Sequence, residues 1–375
     1  MYLWQSPGFP ALTWDANALT ASLANARVAE GRMLGLAGSL GLVDLAELQL
    51  SGWSQEAVAT AQIEGELLQL NSVRASAARR LGMPHASTAP RDARSEATLD
   101  VLEAALAQWD RKLAEEDLFA WHAALFPTGR SGLTRIATGG WRTHAEPMQI
   151  VTPRLGKPDV VHYEAPRSVD VAGHMRLLLE WFNVVSVDHR IDGLVRAAVA
   201  HLWFEAIHPF EDGNGRIGRA MAELALVQDM RSRRRLFSIS SQIAQDRAGY
   251  YDQLQAATGH PNLDITPWVK WFTDRFQAAC DAATGQMQTA RARNRYWGHV
   301  NGEHPGLTAS QRKALDRLLA ALPEGFAGGM STEKYVNLTG ASRATAYREL
   351  TQLAELGLLE KTGQGRGTRY TLLVP

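Results

Sequence analysis

The chain is poor in cysteine, with one residue, Cys280, among 375. That excludes an intrachain disulfide framework and fits a reducing compartment. It also has no surplus of charge, with 39 Lys and Arg against 39 Asp and Glu. No overall field steers it toward nucleic acid or a membrane, although local basic patches remain open. No stretch approaches eighteen consecutive apolar residues, and the opening MYLWQSPGFPALTWD has no basic segment ahead of an apolar one. Neither a membrane span nor a signal peptide is expected, and the expected location is cytoplasmic. Internal repeats, low-complexity tracts and a GxxxxGK[ST] phosphate loop are absent as well.

What is present is ordinary globular material, 45% apolar and 21% charged, in a length that suits two or three domains. Helical spacing dominates. Leu19, Leu23, Ala26 and Met33 fall at offsets 0, 4, 7 and 14, within a helical region that runs to about residue 80. PHASTAPRDARS reads as a surface loop, and a second helical stretch runs from Glu96 to Phe126. Between Phe126 and Pro166 the pattern breaks into short apolar pieces, MQIVT and VVHYEAP, which predict a small hairpin. Helices are expected over Asp170–Val184, Asp192–Ile207, Gln242–Thr258 and Pro267–Arg291. The aromatic pairs Trp181/Phe182 and Trp203/Phe204 are expected in the core.

One stretch is too dense in special residues to be a simple connection. HPFEDGNGRIGRA, His208 to Ala220, follows a predicted helix and leads into another. Glycines let backbone N–H groups at a helix start approach an anion closely. Arg216 and Arg219, three apart, share a helix face and suit phosphate oxygens. Asp212 supplies the hard oxygen that magnesium takes when it also binds substrate phosphates. His208 is the nearby group suited to accept a proton from a hydroxyl, and Asn214 can donate to a phosphate oxygen. Gly213, Gly215 and Gly218 have GxGxxG spacing, but they follow a helix where a dinucleotide fold requires a strand. A zinc reading of His201, Glu205 and His208, at spacings of four and three, competes for the same histidine and is set aside.

The run HPFEDGNGRIGR resembles the signature of the Fic family, H-x-F-x-(D/E)-G-N-G-R-x-x-R, at every motif position. The resemblance implies an all-α fold, a mainly helical core with a small β-hairpin flap, and transfer of AMP from ATP to a Ser, Thr or Tyr hydroxyl of a target protein, possible targets including the chain itself. Carried over, it implies His208 as base, Phe210 as a buried anchor and Asp212 as the Mg2+ ligand. It further implies Asn214 and Arg216 on the α- and β-phosphates, Arg219 on the γ-phosphate, and Gly213 and Gly215 lining the anion hole. VHYEAPRSVDVAGHMRLLLEWF resembles the flap and the helix after it, so His162, Tyr163 and Glu164 are expected to dock a target segment by strand addition. Many relatives have consecutive prolines after the tyrosine, where this chain has Glu164, Ala165 and Pro166.

TAQIEGE resembles the family's inhibitory helix, (S/T)-x-x-x-E-(G/N), at Thr60, Glu64 and Gly65. A carboxylate paired with Arg219 would occupy the charge that the γ-phosphate needs, so ATP is excluded or misaligned. The same Glu64 is open to two other readings: it could orient water for AMP removal, making the site a de-AMPylating phosphodiesterase, or form a merely structural ion pair with Arg216 or Arg219.

The last 65 or so residues are expected to form a winged helix-turn-helix. Three helices, TASQRKALDRLLAAL, STEKYVNLT and SRATAYRELTQLAELGLL, precede two strands around a glycine-rich tip. Arg343, Arg348, Lys361, Arg366 and Arg369 could touch DNA, while the same module could dock protein; a DNA-binding regulator with a sensory core is the rival function. The expected domains are residues 1–95, a helical region with the inhibitory helix; 96–295, the Fic core; and 305–375, the winged module. A symmetric homodimer is the default for an assembly, with no motif demanding one.

Overall fold

The computed structural model describes residues 1–83, 91–152, 160–188, 191–322 and 325–373. Side chains at 152, 160, 185–188 and 366 also lie outside the described set, as does the PHASTAP part of the expected loop PHASTAPRDARS. The chain divides into two units, Met1–Thr284 and Gly285–Pro375.

The first unit is helical. α1 (Ala16–Ala37) starts where the Asp15 carboxylate accepts the backbone N–H of Asn17 and Ala18. α2 (Leu42–Ile63), α3 (Leu70–Arg80), α4 (Ala93–Ala107) and α5 (Glu115–Leu125) follow. The expected stretch Glu96–Phe126 is therefore two helices. Asp117 ends the gap by accepting the N–H of Ala114 at the start of α5.

Two hairpins come next: β1 (Arg130–Ser131) with β2 (Thr134–Arg135), and β3 (Gln149–Thr152) with β4 (Val160–Glu164). Both are antiparallel, and the second pairs Gln149 with Glu164 and Ile150 with Tyr163 before a register shift at Val151. These are the predicted pieces MQIVT and VVHYEAP.

α6 (Ser168–Asp188) leads to α7 (Gly193–Ile207), which Asp192 caps by accepting the N–H of Leu194. Every residue of α7 is buried, Arg196, His201 and Glu205 included, so this helix is the centre of the unit. α8 (Asn214–Met230) packs along it. Phe182, Trp203 and Phe204 are buried with it, while Trp181 is only half-buried.

The single helix expected over Gln242–Thr258 is two, α9 (Ile239–Gln245) and α10 (Arg247–Thr258). Asp246, at φ −128°, leaves the helical range and caps α10 by accepting the N–H of Gly249. α11 (Thr266–Glu303) runs past the expected end at Arg291. Its last turns place Tyr296 and Val300 in the core of the second unit, which rewards continuing the helix.

The second unit continues with α12 (Ala309–Leu319), α13 (Thr332–Thr339), α14 (Arg343–Glu355) and the antiparallel pair β5 (Leu359–Thr362) and β6 (Arg369–Leu372). Thr308, Ser331 and Ser342 cap the three helices, and Gly340, at φ 75°, makes the turn between α13 and α14. Glu349 is buried in this core, where it accepts hydrogen bonds from the hydroxyls of Tyr335 (2.7 Å) and Thr308 (2.8 Å). The architecture is mainly helical with small antiparallel hairpins.

Candidate active site

α7 ends against a residue that a helix would not choose. His208 lies in the left-handed region, φ 50° and ψ 62°, where a side chain other than glycine costs of order 1–3 kcal/mol unless its surroundings fix it. Arg142 supplies much of that fixing. Its guanidinium, 1% exposed, donates from Nε to the carbonyl of His208 (2.8 Å) and from Nη2 to the carbonyls of Pro166 and Ile207. Nη1 donates to Ser168 Oγ (2.9 Å), and the Arg142 backbone N–H donates to Pro209. The Tyr163 hydroxyl donates to the carbonyl of Ala206. Three orphan carbonyls at the end of α7 are thereby satisfied, partly by a positive group that suits a helix C-terminus.

The loop to α8 is anchored from inside. Phe210 is fully buried and stacks on the His122 ring, with centroids 4.2 Å apart at 7°. Asn214, 2% exposed, closes the loop on itself: Oδ1 accepts from the Phe210 N–H (2.9 Å) and Nδ2 donates to the Phe210 carbonyl (2.8 Å). The side-chain amide expected to face a phosphate spends one of its two N–H donors on loop geometry. Gly213 sits at φ 81°, and a Cβ there would come within 2.8 Å of the Phe126 ring. Asp212 accepts from the Ser131 hydroxyl and keeps 43% of its side chain exposed.

Glu64 comes to this loop from the end of α2. Gly65 at φ 80° turns the chain away after it. Thr60 and Glu64, four apart on one helix face, both grip Arg219. Arg219 donates from Nη2 to Glu64 Oε1 (2.7 Å) and to the Thr60 carbonyl (3.0 Å), and from Nε to Thr60 Oγ1 (2.8 Å). Oε1 of Glu64 also lies over Gly215, where an added Cβ would meet it at 2.2 Å. Arg216 instead pairs with Glu66 (3.1 Å) and lies 3.7 Å from Asp212, with its guanidinium over the Phe126 ring.

One cleft of about 530 Å³ is lined by Glu64, Gly215, Glu205 and His208, by Ile150, His162 and Tyr163 of the β3–β4 hairpin, and by Tyr250 and Tyr251 of α10. The volume suits a drug-sized ligand. Asn214, Arg216, Arg219, Thr60 and Asp212 are not on that lining. Tyr163 is 5% exposed and ties the hairpin to α7, while Ile150, Val151 and Val161 are exposed, the first two on the cleft. Glu164 accepts a hydrogen bond from Gln149, and its carbonyl accepts one from Trp4 Nε1.

Burial pushes the His208 imidazole down to about 4, with the Arg142 charge adding to the effect, so the ring is neutral at pH 7 and able to accept a proton. Burial pushes the neighbouring Glu205 carboxyl up to about 8, helped by the charge of Glu64. Glu205 Oε2 lies 3.8 Å from His208 Nδ1. Burial works against the charge of Arg219, but Glu64, with smaller shares from Tyr250 and Glu205, outweighs it, so the guanidinium stays ionised. His201 turns away to the Tyr250 hydroxyl (2.9 Å), and no cluster of three or more His, Cys, Asp or Glu suited to a metal occurs among the described residues. Sequence reasoning passed over Arg142 and Ser131, which lie in stretches without periodicity, and His122, one buried residue of α5, and weighed Glu205 only as a zinc ligand.

Two family models match the chain: Fic/DOC family over residues 112–226 and Domain of unknown function (DUF4172) over residues 2–83. In sequence the chain is similar to protein adenylyltransferase fic-1 of Caenorhabditis briggsae, 32% identical over 142 residues, which are 38% of this chain and 25% of that protein. It is also 34% identical over 77 residues to the probable protein adenylyltransferase aq_aa38 of Aquifex aeolicus, covering 20% of this chain and 23% of that one. The match thus spans about a quarter of the length of these curated relatives. In structure it is similar to a Fic family protein from Desulfovibrio desulfuricans, with a TM-score of 0.55 and 22% identity over 97% of this chain and 98% of the other. A Fic domain containing signaling protein from Bacteroides thetaiotaomicron gives a TM-score of 0.53 and 18% identity over 70% of this chain and 97% of that one. At such identities the two structures speak for the fold.

Proposed function

We propose that this chain, which has a Fic/DOC-family fold related to the protein adenylyltransferases, is a cytoplasmic, magnesium-dependent enzyme that transfers AMP from ATP to a Ser, Thr or Tyr hydroxyl and is held at rest by Glu64. The observation that carries the reading is the place of the Glu64 carboxylate, 2.7 Å from Arg219 and against the Gly215 backbone at the start of α8. A helix start beside a buried, obligately charged guanidinium is built for an anion, and a carboxylate is standing where a phosphate would.

In this reading the neutral His208 imidazole takes the proton from the target hydroxyl as that oxygen bonds to the α-phosphorus. The bond from the α-phosphorus to the bridging oxygen of the β-phosphate breaks, and pyrophosphate leaves. Gly213 and Gly215 give the phosphates access to backbone N–H groups. Arg216 and the second side-chain N–H of Asn214 hold the α- and β-phosphates and Arg219 the γ-phosphate once Glu66 and Glu64 release the arginines, while Asn214 also fixes the loop. Asp212 fits a magnesium shared with phosphates: it is one exposed carboxylate already oriented by Ser131, and such an ion draws its other ligands from substrate and water. When bound, the ion would neutralise phosphate charge. The β3–β4 hairpin, with His162 and Glu164, presents a strand edge for the target segment, and Tyr163 keeps that edge in register with α7. The accompanying division is residues 1–95 with the restraining helix, 96–295 as the Fic core and 305–375 as a terminal module.

Incubation with labelled ATP and magnesium tests it. Little label is expected on the natural chain or added target, more on Glu64→Gly, and none on Glu64→Gly with His208→Ala. Equal labelling of the natural chain and Glu64→Gly sinks the restraint. Release of free AMP from a premodified target by the natural chain would redirect the reading to AMP removal.

A further inference from the structure

The balanced total charge hides a division. Residues 285–375 hold 12 Lys and Arg against 7 Asp and Glu, leaving 27 against 32 in residues 1–284. One of those seven acids, Glu349, is buried and held by Tyr335 and Thr308, so the surface of the second unit is more basic than the count suggests.

The basic groups are not equally available. Arg293 pairs with Asp316, Arg312 with Asn301, and Lys334 is held by the carbonyls of Ala327 and Gly329. Arg343 and Arg348 are exposed and make no hydrogen bond or ion pair with the described residues. Both lie on α14. That helix buries Ala346, Glu349, Leu350 and Leu353, at offsets 0, 3, 4 and 7, and turns Arg343, Ala344, Tyr347 and Arg348 outward. Tyr347 is 56% exposed, a large aromatic with no packing role, set between two unpaired guanidinium groups.

We infer that α14 is the recognition helix of a duplex-DNA site. It follows α13 through a tight glycine turn, the arrangement that places a second helix in the major groove. Arg343 and Arg348 are suited to phosphates or guanine edges, and Tyr347 and the small Ala344 to close approach along the groove wall. The β5–β6 hairpin follows α14 directly and carries exposed Lys361, so it can reach an adjacent phosphate. A protein partner would favour an apolar centre depleted in charge, and this face is basic. The inference rests on the second unit alone and stands whether or not the first unit transfers AMP.

Fluorescence anisotropy of the full chain with a mixed-sequence duplex of about 30 base pairs, some three helical turns, tests it across a salt series. Binding should weaken steeply with salt. Arg343→Ala with Arg348→Ala should cost at least about tenfold in affinity and flatten the log–log salt slope by about 2, since each phosphate contact contributes about 0.9. Lys313→Ala, an exposed change on α12, should leave both unchanged. Circular dichroism of the double variant should match the natural chain, because neither arginine supports the fold. No binding at about 50 mM salt, an equal loss for Lys313→Ala, or equal binding to a single strand of the same length overturns the site. So does a double variant that changes the sedimentation mass while the natural chain binds no duplex, which would make α14 a protein-docking helix.

Discussion

Replacing Glu64 with glycine should weaken the fold and strengthen the site at once, because one ion pair serves both. The pair joins Arg219, 2% exposed, to a carboxylate whose side chain is 29% exposed. Deleting one partner of a fully buried pair costs about 3–5 kcal/mol, whereas a hydrogen bond to a charged group is worth about 1.5–3 kcal/mol. The lower range applies: Glu64 is open to solvent, and Arg219 keeps its two bonds to Thr60. The glycine adds little, since position 64 lies past the last residue of α2. A fall of about 1.5–3 kcal/mol corresponds to roughly 3–10 °C in a domain of this size.

ATP with magnesium then separates the two effects. A ligand at a hundred times its dissociation constant returns about 2.7 kcal/mol. The variant should recover most or all of its lost stability, and the natural chain, whose Arg219 is occupied, should gain little. Differential scanning fluorimetry over a nucleotide series, with Glu64→Gln as the variant that removes charge while keeping volume, reads this directly. A natural chain that gains as much as Glu64→Gly at the same concentration refutes competition between carboxylate and nucleotide. A variant whose melting temperature does not fall without nucleotide refutes the ion pair's structural share.

Three further outcomes follow from two groups around His208. Glu205 ionises near 4.5 when unfolded but near 8 in the folded chain, so its folded pKa is raised. The stability its neutral form allows is complete below about pH 4.5 and is lost as pH rises toward 8, by a few kcal/mol. Glu205→Gln should abolish that loss, so the difference in melting temperature between variant and natural chain should grow in the variant's favour from pH 5 to pH 9; a flat difference contradicts the buried carboxyl. Arg142→Lys cannot reproduce a fork across three carbonyls and Ser168, and should destabilise the first unit by about 3 kcal/mol or more. Arg142→Met in the Glu64→Gly background removes the charge that depresses His208, so the acid limb of the labelling rate should move to higher pH; an unmoved limb would assign Arg142 a purely structural part.

The legible parts of this chain are those where chemistry and periodicity act locally. Ser342 capping α14, the HPFEDGNGRIGR loop between α7 and α8, and the hairpin pieces MQIVT and VVHYEAP all lie where the sequence places them. Thr60 and Glu64 are readable as a pair because a helix brings residues four apart to one face, yet the sequence leaves open whether Glu64 meets Arg216 or Arg219. That choice is tertiary: it depends on α2 arriving over Gly215, which has no Cβ to keep the carboxylate away. Arg142 shows the limit more sharply. It sits in an aperiodic loop, and nothing in WRTHAEP distinguishes this buried arginine from an exposed one. Its role exists only because α7 ends in a left-handed histidine whose carbonyl, and the two before it, need donors. The same logic explains Asn214. A motif asparagine invites a ligand role, but a loop that must hold His208 and Gly213 in left-handed geometry needs an internal clamp first, and both ends of the amide are used on Phe210. The motif thus encodes two demands, anion chemistry and the strained backbone that displays it, and only the first can be read residue by residue.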